Sequence, residues 1–245
     1  MVETKFSLEY SEIRENRNGL PVILVAGGHS SRMGGMDKLF CEIAGIPVIV
    51  RSMLAFENSP MIRDIYVVTR PESMPTIQNL ANRYMISKLR AFADAGSCRQ
   101  ESVKQGILLL EKSADRALIH DAARPLVSQA LIERLCCASS EGCTVCAVPL
   151  KDTVKQVKDG KVLKTLQRDS LLAVQTPQSV PVKRYMEVLN DSSDLSVFTD
   201  DASVLESVGE PVYIVDGEET NLKITTPLDL AVAQVLLRQE DQKEL

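Results

Sequence analysis

The chain has 245 residues, 44% of them hydrophobic, with six cysteines and a formal net charge of −5 at pH 7. A chain of this size buries a full core without disulfides or a structural metal. Its acidic balance argues against nucleic acid or an anionic membrane as the main partner, because either favours a basic surface, so any phosphate site has to be built locally.

Residues 1–20 scatter Glu3, Lys5, Glu9, Glu12, Arg14, Glu15 and Arg17 among few apolar positions. They hold no secretory h-region and read as an N-terminal tail ahead of a single domain over residues 21–240. No run elsewhere is long enough to span a bilayer. Cysteines without an export signal favour reduced thiols and a cytoplasmic protein. Cys143 and Cys146 form a CxxC among valines, which reads as part of a buried strand, since Cys136 and Cys137 do not supply a second pair at zinc-like spacing.

The apolar run Val22-Ile23-Leu24-Val25-Ala26 predicts a central parallel strand. It enters Gly27-Gly28-His29-Ser30-Ser31-Arg32-Met33-Gly34-Gly35-Met36-Asp37-Lys38. Glycines after a strand let backbone N–H groups come close to a phosphate chain, and Arg32 and Lys38 add fixed positive charge. The loop lacks the Gly-Lys-Ser/Thr ending of a Walker A loop and the Gly-x-Gly-x-x-Gly of a dinucleotide site, which disfavours a Rossmann oxidoreductase. A glycine-rich connector with solvated charges is the plainer reading, and the flanking strand and paired cations favour anion binding over it.

Strand and helix then alternate. Helical spacing is expected over 47–57, from Pro47, over 102–110 and over 128–137, where Ser128 caps Leu131, Ile132 and Leu135. Strands are expected at 65–69, 117–120, 144–148 and 212–215. Further helices are expected over 182–189, between Thr199 and Gly209, and from Thr226 with Pro227 at its first position. The alternation predicts an α/β fold with a doubly wound sheet. Residues 151–175 interrupt it with two β-prone pieces, 153–157 and 162–166, around Asp159-Gly160, a hairpin signal. Too few apolar residues lie there to build a core, so the stretch reads as a projecting β-arm in need of a partner surface.

Ala117-Leu118-Ile119-His120 delivers Asp121 to the carboxyl end of a strand, where ligands collect in open α/β sheets. There it could hold Mg²⁺, which binds through one or two carboxylates plus phosphate oxygens. The plainer reading makes Asp121 a turn cap paired with Arg124. Arg168, Thr176 and Lys223 add polar groups that would each pass singly for surface chemistry.

In order, these segments resemble the 2-C-methyl-D-erythritol 4-phosphate cytidylyltransferase family, the CTP-using enzymes of the non-mevalonate isoprenoid pathway. The match is carried by the loop from Ala26 to Lys38, Gly45-Ile46-Pro47-Val48, Arg99-x-x-Ser102-Val103, His120-Asp121-Ala122-Ala123-Arg124-Pro125, Asp152-Thr153, Gln175-Thr176-Pro177-Gln178, Thr199-Asp200-Asp201-Ala202-Ser203 and Asn221-Leu222-Lys223-Ile224-Thr225. The resemblance implies a mostly parallel, Rossmann-like sheet of the nucleotidyltransferase type. It implies that Arg32, Lys38 and Lys223 serve catalysis and that Ala26, Gly27, Gly28, Ser30, Gly96 and Ser102 contact CTP, with Asp121 holding Mg²⁺ there. Arg124, Thr153, Arg168, Thr176 and Lys223 would bind the acceptor phosphate. The arm would cross to a second subunit of a homodimer, so that Thr153 and Arg168 act in the neighbour's site, and Asn221 would assist the metal. Gly27 stands where the family usually has alanine and Ser30 where it has glycine, a spelling also similar to molybdenum-cofactor guanylyltransferase. Ribitol-5-phosphate cytidylyltransferase shares the motif order, and a non-catalytic nucleotide-binding module remains the alternative of another class.

Overall fold

The structure, a computed structural model, describes residues 19–28 and 37–241. The chain runs through β1 (Leu20–Val25), β2 (Glu42–Ile43), β3 (Ile46–Pro47), α1 (Val48–Glu57), β4 (Ile62–Thr69), α2 (Met74–Arg83), β5 (Leu89–Asp94), α3 (Arg99–Leu108) and β6 (Arg116–Asp121). It continues through α4 (Gln129–Ala138), β7 (Cys143–Pro149), β8 (Lys155–Lys158), β9 (Lys161–Thr165), β10 (Leu172–Pro181), α5 (Val182–Asp191), α6 (Asp201–Glu206), β11 (Val212–Asp216) and α7 (Pro227–Asp241).

Seven strands form one sheet in the order β11-β7-β10-β6-β1-β4-β5. All neighbours run parallel except at β10, which is antiparallel to both β6 and β7. Helices cover both faces. Ile49 and Phe56 of α1, Leu131 of α4 and Ala233 of α7 pack on one side. Val103 of α3, Tyr185 of α5 and Leu205 of α6 pack on the other. β1 lies between two parallel partners and is apolar on both faces for that reason. Its register pairs Leu24 with His120 and Val25 with Asp121, so the start of the glycine loop and the acidic strand end emerge side by side.

α3 lies close on β1 and β4 at Gly106. A Cβ there would stand 2.5 Å from Ile23 Cγ2 and 2.8 Å from Val68 Cγ2. Gly106→Ala should therefore lower stability by about 1–3 kcal/mol through overpacking, even though alanine is the better helix former by about 1 kcal/mol. Urea denaturation checks this, and an unchanged midpoint would mean that α3 can step back at no cost.

The structure departs from the sequence-based expectations in several places, the short pair β2 and β3 among them. The stretch expected as an arm over 151–175 gives its last residues to the main sheet, because β10 begins at Leu172. This strand was hidden by its polar composition, and its register is broken between Val174 and Gln178, an irregularity that accommodates Pro177. β5 also escaped notice, being an edge strand with no fully buried residue. So did α2, which buries only Ile77 and Ala81. The ribbon of β8 and β9 is a separate two-stranded sheet. Among the described residues, no helix is long and apolar enough to cross a membrane.

Candidate active site

A cavity of about 400 Å³ opens at the carboxyl end of β1 and β6, lined by Ala26, Gly27, Gly28, Lys38, Gly96, Ser102, Asp121 and Lys223. These side chains and backbone groups come from five separate stretches of chain. The loop start is pinned to β4, with the Ala26 N–H donating to the Val68 carbonyl (2.7 Å) and the Thr69 hydroxyl donating to the Ala26 carbonyl (3.3 Å). The opposite wall is shaped by Ser102, whose hydroxyl accepts the Gly96 N–H and donates to the Cys98 carbonyl, each at 3.0 Å. The two walls nearly touch: a Cβ on Gly27 would meet Ala95 Cβ at 2.3 Å. Glycine in place of the alanine usual in the resembled family thus lets residue 95 approach more closely.

Asp121 is the electrostatic centre. Its Oδ2 receives Lys223 Nζ at 2.6 Å, and its Oδ1 lies 3.4 Å from Arg99 Nε. Burial alone would favour the neutral acid, but Arg99, Lys223 and Arg124 outweigh it and hold the carboxyl well below its ordinary range. The carboxylate is therefore ionised throughout the neutral region. Its backbone N–H donates to the Thr176 hydroxyl (3.0 Å), which in turn lies 3.2 Å from His120 Nδ1. His120 Nε2 sits 3.1 Å from the Arg124 carbonyl, an acceptor only, so the ring proton is on Nε2 and Nδ1 accepts from Thr176. Burial pushes the His120 pKa down to about 4, and the neutral imidazole serves as a strut between the two segments.

Lys223 arrives on the 221–224 segment, which is stitched to the strand end. Ile224 N–H donates to the Ala123 carbonyl (2.8 Å), and the Asn221 amide donates to the Thr176 carbonyl (2.9 Å). Arg124 Nη1 donates to the Asn221 carbonyl (2.7 Å). The expected metal-assisting part of Asn221 would fall to its amide oxygen. Its amide nitrogen is committed to backbone, and its buried Oδ1 has no hydrogen-bond partner among the described residues.

Other expected site residues lie elsewhere. Thr176 is 5% exposed and sits under Asp121, with its hydroxyl occupied as described. Thr153 and Arg168 are exposed on the arm and its base and do not line this chain's cavity; Arg168 Nη1 donates to the Lys151 carbonyl at 2.7 Å. Ser30 and Arg32 lie outside the described residues.

The residue types alone gave Arg99 no role. Its guanidinium forms a bidentate pair with Asp201 (2.9 and 2.8 Å), which is fully buried and also accepts from the Tyr185 hydroxyl at 2.8 Å. The third edge of Arg99 faces Asp121, which fixes the carboxylate's orientation. Asp200-Asp201 did carry a signal, since a helix N-cap needs only one acid. Asp200 is that cap, accepting the Ser203 N–H at 2.9 Å, which leaves Asp201 free for Arg99.

A divalent cation fits this donor set. Among the described residues no cluster of three or more His, Cys, Asp or Glu forms a protein cage. Asp121 instead offers one carboxylate in the cavity lining, paired here with Lys223, and Mg²⁺ typically takes one or two carboxylates while phosphates and water complete its shell.

A mostly parallel, doubly wound sheet with a glycine loop, a carboxylate and lysines meeting at its carboxyl end defines a nucleotidyltransferase-type site. The family model for 2-C-methyl-D-erythritol 4-phosphate cytidylyltransferase matches residues 20–239. A 2-C-methyl-D-erythritol 4-phosphate cytidylyltransferase of Bacillus cereus is 40% identical over 221 residues, covering 89% of this chain and 97% of the relative. Another from Dehalococcoides mccartyi is 41% identical over 222 residues, 88% of this chain and 95% of the relative. The solved 4-diphosphocytidyl-2C-methyl-D-erythritol synthase of Anaerococcus prevotii superposes with a TM-score of 0.80 at 26% identity, covering 92% of this chain and 98% of that one. The chain belongs to the 2-C-methyl-D-erythritol 4-phosphate cytidylyltransferase family and is a cytidylyltransferase.

Proposed function

We propose that this chain transfers CMP from CTP to 2-C-methyl-D-erythritol 4-phosphate, giving 4-diphosphocytidyl-2-C-methyl-D-erythritol and pyrophosphate. The observation that carries the reading is the convergence of glycine backbone, Lys38, Lys223 and Asp121 on one cavity at the sheet's carboxyl end. An acceptor phosphate oxygen forms the new bond to the α-phosphorus of CTP in line, as the bond to the bridging oxygen of pyrophosphate breaks. That nucleophile is already anionic at neutral pH, so no general base is needed, and catalysis is positioning and charge neutralisation. The nucleotide lies on the backbone of Ala26, Gly27, Gly28 and Gly96 with Ser102 beside it, and the family resemblance gives Ser30 a part in the same contact. Arg32 and Lys38 neutralise the triphosphate, and Lys223 holds the acceptor phosphate. Mg²⁺ at Asp121 would supply further charge neutralisation to the phosphates. Arg124 and Thr176 support this wall from below.

We further read the working form as a homodimer joined through the arm. A two-stranded ribbon is marginal in water by itself. Val157, Val162 and Leu163 on this ribbon, with Leu172 and Val174 at the adjoining end of β10, are exposed apolar side chains that a second copy would cover. Thr153 and Arg168 then serve the neighbour's site. Six free thiols accord with a reducing compartment, the cytoplasm.

Pyrophosphate release from CTP and Mg²⁺ with a panel of alditol phosphates tests the reaction. Release with 2-C-methyl-D-erythritol 4-phosphate is expected. Release with ribitol 5-phosphate alone would move the acceptor, and none with any acceptor would leave a binding module. The dimer reading is tested by exchanging subunits between a Lys38→Ala and an Arg168→Ala preparation. Each is impaired alone, and random pairing should restore about one quarter of wild-type activity, since half the dimers carry one intact shared site. No recovery would put Arg168 in its own chain's site.

A further inference from the structure

Two neighbouring residues at the carboxyl end of β4 hold the two feet of the glycine loop. Thr69 ties the upstream foot through its hydroxyl to the Ala26 carbonyl (3.3 Å). Arg70 ties the downstream foot, with its Nη2 on Asp37 Oδ2 at 2.5 Å. We propose that Arg70 is a positioning residue for Lys38: by clamping Asp37 to the sheet, it sets where the lysine stands on the cavity wall.

Asp37 is well suited to transmit such a constraint. Its Oδ1 accepts the Leu39 N–H (3.1 Å), and its carbonyl accepts the Phe40 N–H (3.0 Å), so the carboxylate and the tight turn that carries Lys38 move as one piece. Leu39, next in the chain, is 4% exposed and packs into the core. Lys38 is thus bracketed by a buried leucine and an anchored aspartate while its own side chain lines the cavity. Glu72 Oε1 lies 3.6 Å from Arg70 Nε, a loose ion pair and not a hydrogen bond, so the firm partner of this guanidinium among the described residues is Asp37. Arg70 itself does not line the cavity, so its influence passes through Asp37.

The physical case rests on a difference in scale. An ion pair whose side chains are 29% and 22% exposed adds little to global stability. A misplacement of about 1 Å at a reacting centre can lower the rate by roughly 10²-fold. A clamp of this kind should therefore show itself in turnover and hardly at all in thermal unfolding. The inference rests on the assignment of Lys38 to catalysis made above, and the experiment separates the two.

The test is steady-state pyrophosphate release with CTP, Mg²⁺ and 2-C-methyl-D-erythritol 4-phosphate, alongside thermal unfolding, for Arg70→Met, Arg70→Lys, Lys38→Ala and the double variant Arg70→Met/Lys38→Ala. Arg70→Met is expected to lower kcat by about tenfold, a fraction of the loss available from misplacement, with Tm within about 2 °C of wild type. Arg70→Lys should recover most of that loss, because an ammonium still reaches Asp37. In the Lys38→Ala background the Arg70→Met change should cost less than about twofold, since the group it positions is gone. Wild-type kcat in Arg70→Met, or a loss that multiplies in full with that of Lys38→Ala, would overturn the proposal while leaving Lys38 in its role. A fully active Lys38→Ala would remove the catalytic assignment and the clamp's purpose with it.

Discussion

Asp121→Asn should give a folded protein whose turnover is lower by about 10³-fold, at the upper end of the range for losing one charge-organising group at a reaction centre. The substitution keeps the side chain's size and the backbone N–H that donates to Thr176 at 3.0 Å. What it removes is the anion between Lys223 and Arg99, at 2.6 and 3.4 Å. Arg99 remains paired with buried Asp201, and Lys223, 40% exposed, can turn to water, so little of the fold depends on the lost charge. The proposed Mg²⁺ site depends on it most, because among the described residues lining the cavity Asp121 is the one carboxylate. Two measurements check this: kcat at saturating CTP, and the Mg²⁺ concentration for half-maximal rate, which should rise. Turnover within tenfold of wild type, at an unchanged Mg²⁺ requirement, would take Asp121 out of the metal site.

Lys38→Ala comes next in expected effect, with turnover lower by about 10²-fold or more and a melting temperature close to wild type. Lys38 lines the same cavity as Asp121 and Lys223, and in the proposed reaction its charge would face the triphosphate. A group that stabilises charge developing in the transition state should change kcat more than the KM for CTP. Lys38→Arg should retain part of the rate, since it keeps the charge and changes the geometry. A rise in KM alone would recast Lys38 as a ground-state phosphate ligand, and unchanged kinetics would remove it from the mechanism.

The legible parts of the site share one property, which is that local pattern and final position coincide. A strand apolar on both faces followed by glycines has few places to go except the middle of a parallel sheet, and Val22, Ile23 and Leu24 are fully buried there. Asp121 was visible because it closes an apolar run. Helix starts were likewise written locally, as at Ser128, whose hydroxyl accepts the Leu131 N–H at 3.0 Å. β10 was not legible, because a strand rich in glutamine and proline is tolerated only where its neighbours bury it and its register breaks at Pro177. Arg99 was visible only as part of a string, since its importance comes from Asp201, 102 positions away.

The sequence by itself determined the α/β class, the glycine loop, the acidic strand end and the presence of an arm, because each follows from side-chain periodicity or turn chemistry within a few residues. The tertiary structure alone decided which charges meet. Strand order brings Lys223 to Asp121, Asp201 to Arg99 and Arg70 to Asp37. These pairings form because hydrophobic burial sets the packing of sheet and helices first, and polar groups stranded near the sheet's end are stable only with the partners that packing leaves beside them.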